Sequence, residues 1–195
     1  MDRDEVEEAL LELDALLDRD SHSESDYQQW FERHPVVFFS FGFQKVIPHP
    51  RLVSPDGEEW IPDFLVQPPS GVWEVFEITT PQATILVDRG RRSTFYATFE
   101  GYVSQCREYA EMLDDPRTRE EFLEREGAKL PKNPRISIVA GRSIGLDRDK
   151  LQRLASSRVA PLAIVTFDDV RAQVEHYRTS TSVVTSWPRV TASRL

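Results

Sequence analysis

The sequence predicts an α/β fold, a mixed sheet flanked by helices and preceded by an acidic N-terminal helix. Three observations carry this. Pro62-Asp63-Phe64-Leu65-Val66 and Val72-Trp73-Glu74-Val75-Phe76-Glu77-Ile78-Thr79 flank Gln67-Pro68-Pro69-Ser70-Gly71, which is two apolar runs around a turn and so a β-hairpin signal. Downstream, helical periodicity alternates with short apolar runs, the pattern of strands joined by helices. Upstream, Val6, Ala9, Leu10, Leu13, Leu16 and Leu17 recur at three- and four-residue spacing among acids, an amphipathic helix over 4–18.

A second helix starts near Ser23 or Ser25, both suited to capping. It carries Tyr27, Trp30 and Phe31 and stops at His34-Pro35. Residues 36–43 are apolar and expected to be buried. Strands follow at about 44–53, 59–67 and 72–79, and residues 80–94 read as a loop with Pro81, Gly90 and three arginines. A long helix over 95–113 buries Phe95, Phe99, Tyr102, Val103, Cys106, Ala110 and Leu113. A charged helix covers about 117–126. Pro131 and Pro134 introduce a strand at 135–140. A helix over 147–156, a strand over 161–167 and a short helix from Asp168 to about Tyr177 complete the order, with acids at the start of the last helix, where the dipole favours them. The expected division is an acidic helix over 1–22, the main domain over 23–178, and a Ser/Thr/Arg-rich, partly disordered tail over 179–195.

Composition narrows the class. One cysteine, Cys106, excludes an internal disulfide and a cysteine-based metal cluster. No apolar run reaches membrane-spanning length, and the acidic N-terminus is unlike a secretory signal, so the expected location is cytoplasmic. The net charge of −9 is uneven: residues 1–34 hold 12 acids and 3 basic residues, whereas residues 35–195 hold 21 of each. A neutral body with local basic groups (Arg89, Arg91 and Arg92; Lys129, Lys132 and Arg135) is compatible with phosphate binding. The four histidines lack the paired spacing of a zinc site. Gly141-Arg142-Ser143-Ile144-Gly145 lacks the Gly-Lys-Ser/Thr ending of a phosphate-binding loop and reads as a strand-to-helix turn, with Arg142 free to meet a phosphate or an acid.

Asp63 and Glu77 stand out. Each is an acid among apolar strand residues, and an antiparallel register of even sum puts both on one face. Burial of an acid is costly unless compensated, and a divalent cation held between two carboxylates compensates both. The plain alternative is an exposed hairpin face with two ordinary acids. Glu74 alternates to the other face. Gln105 and Tyr109 lie one helical turn apart, beside the buried stripe.

The same residues carry a family resemblance. The element order, Pro62-Asp63 and Glu77-x-Thr79 resemble the PD-(D/E)xK nuclease superfamily. Within it, the chain is similar to the Shedu family of anti-phage defence nucleases. Tyr27-Gln28-Gln29-Trp30-Phe31-Glu32-Arg33-His34-Pro35 resembles that family's opening helix, and Phe76-Glu77-Ile78-Thr79-Thr80-Pro81 its glutamate strand. Gln105 to Tyr109 resembles its Gln-x-x-x-Tyr helix. Ile138-Val139-Ala140-Gly141-Arg142 and Ile164-Val165-Thr166-Phe167-Asp168-Asp169-Val170 resemble its last two strand ends. The resemblance spans about 24–172. It implies a Mg²⁺- or Mn²⁺-dependent DNA endonuclease, with Asp63 and Glu77 as metal ligands, Thr79, Gln105 and Tyr109 completing the catalytic set, and Glu32 available as a third carboxylate.

One departure matters. Residue 79 is Thr where the family has its catalytic Lys, and a hydroxyl cannot supply that positive charge. Lys45, Arg91 and Arg92 are candidates for a relocated cation; Thr79 itself is placed to hydrogen-bond a metal-bound water. The competing expectation is a degenerate nuclease-fold module that binds nucleic acid or a protein without cutting. A third reading, independent of the resemblance, is an interaction module using helix 4–18. The expected partners are DNA and a second copy of the chain, with no membrane; the acidic N-terminal segment is suited to shielding a DNA groove or to oligomer contacts.

Overall fold

The computed structural model describes residues 3–19, 23–89, 92–157 and 162–184. Helices α1 (Arg3–Leu17), α2 (Glu24–Arg33) and α3 (Val36–Ser40) lead into strands β1 (Lys45–Pro48), β2 (Leu52–Val53), β3 (Glu59–Trp60), β4 (Phe64–Gln67) and β5 (Glu74–Ile78). Strands β6 (Leu86–Arg89) and β7 (Arg92–Phe95) precede α4 (Ala97–Met112) and α5 (Pro116–Glu126). The chain then alternates as β8 (Ile136–Val139), α6 (Arg148–Ser156), β9 (Leu162–Val165) and α7 (Phe167–Val184).

A five-stranded mixed sheet in the order β1-β4-β5-β8-β9 forms the centre. The first two pairings are antiparallel and the last two parallel. Strand alternation divides the core into two layers. Phe64, Val66, Phe76, Ile78 and Val139 face α1, α2, α3 and α7; Leu65, Val75, Ile136 and Ile138 face α4, α5 and α6. Because β5, β8 and β9 run parallel, their C-terminal ends share one sheet edge. The start of β4 lies at that same edge, since β4 is antiparallel to β5.

Helix α1 is part of the first core. Val6, Ala9, Leu10, Leu13 and Leu16 are buried in it, each large side chain worth about 1.5–3 kcal/mol of gross hydrophobic free energy. Trp30 Nε1 donates to the Ala9 carbonyl at 3.1 Å, and Tyr27 Oη to the Leu16 carbonyl at 3.2 Å. Arg171 grips Asp14 with two hydrogen bonds. Among the described residues, no helix is long and apolar enough to cross a membrane.

Several sequence expectations are corrected. The strand expected over 44–53 breaks at His49, which has φ of 46°, and Pro50, so only β1 joins the main sheet while β2 pairs with β3. The strand expected over 59–67 breaks at Pro62, which has no N–H for a ladder. Residues 36–40 are a short helix. The loop expected over 80–94 contains the β6–β7 hairpin, paired Leu86↔Phe95 to Arg89↔Arg92. The last helix continues past Tyr177 to Val184, so the first part of the expected tail is helical; residues 185–195 lie outside the described residues. Thr166 and Asp169 start that helix as a reciprocal cap: Asp169 N donates to Thr166 Oγ1 at 3.2 Å and Thr166 N to Asp169 Oδ2 at 2.8 Å. This is the capping-box geometry with an aspartate in the third helical position.

Candidate active site

The site is built at the shared sheet edge. The register Phe64↔Phe76, continued by one residue, sets Asp63 opposite Glu77. Both carboxylates are engaged by backbone: Ile78 N donates to Asp63 Oδ2 at 2.7 Å, and Asp63 N donates to Glu77 Oε1 at 3.1 Å. Glu77 shares the face of Val75, so it points into the layer of α4. There it is 7% exposed.

Electrostatics follow from this enclosure. Burial pushes Asp63 up to about 6, opposed by the Ile78 amide and reinforced by the charges of Glu24 and Glu32. Glu77 is held well above the ordinary carboxylate range by burial and then by the charge of Asp63. Two desolvated carboxylates that repel each other are the state a cation relieves. Among the described residues, no cation-bearing side chain appears among the main groups acting on Glu77, and His49 alone acts on Asp63 in that sense.

Helix α4 supplies the floor. Tyr109 is buried, with its ring edge against Trp60 at 5.9 Å. Burial and the charge of Glu77 raise its pKa, so it stays a protonated phenol. Gln105 Nε2 donates to its hydroxyl at 2.7 Å. The thiol of Cys106 is likewise pushed up by burial and by both acids. Thus the charges of Glu77 and Asp63 reach Tyr109, and Gln105 is tied to the site through the Tyr109 hydroxyl.

Thr79 sits beside them on the strand continuation, 1% exposed, with its hydroxyl donating to the Val139 carbonyl at 3.2 Å. Lys45 is not brought in: it pairs with Gln67, four residues along the strand from Asp63 and so roughly 13 Å away. Arg91, His22 and the Arg92 side chain lie outside the described residues. Lys129, Lys132 and Arg135 precede β8 and therefore flank the opposite sheet edge. Glu32 is turned to His49, whose Nε2 lies 2.7 Å from Glu32 Oε1. Arg142 is paired with Asp168 at 2.8 Å.

The sequence reading missed Glu24. It stands at the start of α2, hydrogen-bonded to Tyr102 of α4, with its pKa raised by burial. Its charge reaches both Asp63 and Glu77. This contact bridges the two helical layers around the sheet edge. Spacing held the signal, because Glu24, Gln28 and Glu32 recur every four residues on the polar face of α2. Gln28 Oε1 is buried with no protein partner among the described residues.

Among the described residues, no three His, Cys, Asp or Glu side chains form a ready metal-binding group; the centre is a pair. An all-oxygen pair fits a hard cation such as Mg²⁺, which keeps several waters and takes one or two protein carboxylates plus substrate oxygens. Asp63 and Glu77 each commit one oxygen to a backbone amide and leave the other without a hydrogen bond among the described residues.

No curated protein matches the chain. Residues 21–170 match the family described as Shedu protein SduA, C-terminal.

Proposed function

The chain belongs to the Shedu SduA C-terminal family, and from that membership we propose that it is a divalent-metal-dependent DNA endonuclease of phage defence with a PD-(D/E)xK-type fold. The observation that carries the proposal is the opposed, buried Asp63–Glu77 pair at the sheet edge. Asp63 and Glu77 would hold Mg²⁺ or Mn²⁺; when bound, the cation polarises the scissile phosphate and lowers the pKa of a water.

The remaining roles belong to the protein. The Ile78 amide fixes the rotamer of Asp63, and the Asp63 amide fixes Glu77, so the pair is oriented before substrate arrives. Tyr109, kept protonated, serves as a hydrogen-bond donor rather than a base, and Gln105 orients it. Glu24, held by Tyr102, adds negative charge at the mouth and strengthens the demand for a cation.

A second reading is supported by Thr79. Its hydroxyl is engaged by Val139, and among the described residues no lysine or arginine is one of the main groups acting on the acid pair. Under this reading the fold binds DNA without cutting. Incubation of supercoiled and linear DNA with the purified chain and Mg²⁺ or Mn²⁺ separates the two. The expected result is nicking that is lost in Asp63→Ala. Cleavage absent from the wild type but gained in Thr79→Lys would instead identify the binding module.

A further inference from the structure

At the sheet edge that carries the acid pair, a second recess of about 290 Å³ opens between residues 83–86 and the turn leading into α6. Its walls include Arg142, Ile144, Asp147 and Lys150. The walls are held by close backbone approach. Gly141 N donates to the Thr80 carbonyl at 3.0 Å. A Cβ on Gly141 would lie 2.6 Å from the Ala83 carbonyl oxygen, and φ there is +62°, so only glycine suits the position.

Ile144 is 88% exposed, more than any other large apolar side chain among the described residues. It occupies a corner of the turn 143–146, closed by Leu146 N donating to the Ser143 carbonyl at 3.1 Å, with Gly145 at φ of +73°. This turn is anchored rather than loose. Asp168 accepts from Ser143 N, Arg148 donates to Ser143 Oγ at 2.7 Å, and Ser143 Oγ lies 2.7 Å from Thr166 Oγ1. Asp168 holds Arg142 through Nε and Nη2 and leaves its Nη1 edge for a ligand; a braced turn that presents an apolar side chain to water beside this guanidinium and an ammonium has the make-up of a surface that meets sugar and base edges while its cations meet the backbone. Lys150 Nζ lies 3.5 Å from Asp147 with both side chains reaching solvent, and a long pair of this kind contributes little.

We infer that this recess is a positioning subsite for duplex DNA, in which Lys150 and Arg142 take a backbone phosphate a few nucleotides from the one at Asp63 and Glu77, and Ile144 packs on the adjoining sugar or base. The inference rests on the nuclease-fold reading of the acid pair but concerns residues that reading does not use. The test is fluorescence anisotropy of a labelled duplex with the full chain in EDTA, at several salt concentrations. Lys150→Glu is expected to weaken binding about tenfold and to lower the salt slope by about one. Ile144→Ser is expected to weaken binding roughly threefold with the slope unchanged, as befits an apolar contact. Lys132→Glu, a change at the opposite sheet edge, is the control and is expected to leave affinity within about twofold. If the wild type binds and Lys150→Glu weakens it no more than Lys132→Glu does, the subsite is overturned while the DNA reading stands. If the wild type does not bind the duplex at all, both fall.

Discussion

At the residue scale, Asp63 joins stability to chemistry. Its pKa is raised from 3.8 to about 6, which is a penalty on the ionised form. Below about pH 3 the acid is protonated in folded and unfolded chains alike and costs nothing. Between about 4 and 6 the unfolded chain ionises first and stability is lost; above that the penalty is complete, on the order of 2–3 kcal/mol. Glu77, raised by burial and by the charge of Asp63, acts in the same direction. Thermal denaturation without metal is therefore expected to show Tm falling between about pH 5 and pH 8 by roughly 5 °C or more. Mg²⁺ is expected to restore Tm at pH 8 and to have little effect near pH 5; a Mg²⁺ effect equal at both pH values would contradict the assignment. Asp63→Asn keeps an acceptor for the Ile78 amide and removes the charge, so it is expected to raise metal-free Tm while abolishing metal binding by calorimetry. Asp63→Ala also loses the acceptor and is expected to fall below Asp63→Asn. The pair was legible in the sequence because an acid at an apolar strand position is conspicuous there. Glu24 was not, since an exposed-looking helix acid gives no hint of a tyrosine reaching it from another layer.

At the element scale, the question is what α1 contributes. Its charge is obvious in the sequence, but whether its apolar stripe docks on the chain's own core is a tertiary fact. The structure answers with five buried side chains and two indole and phenol hydrogen bonds. Leu13→Ala is expected to cost about 2–5 kcal/mol, read by urea denaturation, and removal of residues 3–17 to abolish a cooperative transition. A deletion that retained the wild-type Tm would show that α1 is dispensable to the core. The helices were placed well from sequence because periodicity and caps are local. Asp115, whose side chain accepts from Arg117 N, with Pro116 and the left-handed Gly127 delimits α5 on its own. The strands were placed less well. Residues 44–53 and 59–67 each read as one strand, and composition could not show that the chain breaks at His49 and Pro62 so that β2 and β3 pair in a small sheet of their own. The β6–β7 hairpin was hidden by its arginines, which read as loop.

At the scale of the whole molecule, charge and layers are distributed together. The exposed acids at the start of α1 belong to the layer facing away from Glu77. Glu5 and Asp18 are separated by about 20 Å of helical rise, and Asp18 is the α1-side acid whose charge acts on Arg142. At physiological salt the screening length is about 8 Å. Neutralising Glu5 and Glu8 together is therefore expected to change duplex affinity by less than about twofold, measured by the same anisotropy titration; a larger gain would show that the N-terminal charge does shield the DNA face. The basic groups at the two ends of β8 divide likewise, with Lys129, Lys132 and Arg135 at one sheet edge and Arg142 and Lys150 at the other. A sequence lists these cations, and topology alone says which of them a substrate at Asp63 and Glu77 would meet.

The cross-strand bonds of Asp63 and Glu77 carry one more meaning. Each carboxylate accepts an amide proton from the facing strand, so the two side chains act as a final rung of the β4–β5 ladder where Pro62 can donate nothing. These acids therefore have a structural part beside the proposed metal site: they close the hairpin's mouth. Thr79, two places beyond the glutamate, is bound into the neighbouring rung as well, since its amide and its hydroxyl both donate to the Val139 carbonyl. An amide side chain at either acid position would keep the acceptor and spare the fold the buried charge. Retention of an acceptor there is a matter of structure, whereas retention of the charge is the mark of a cation site.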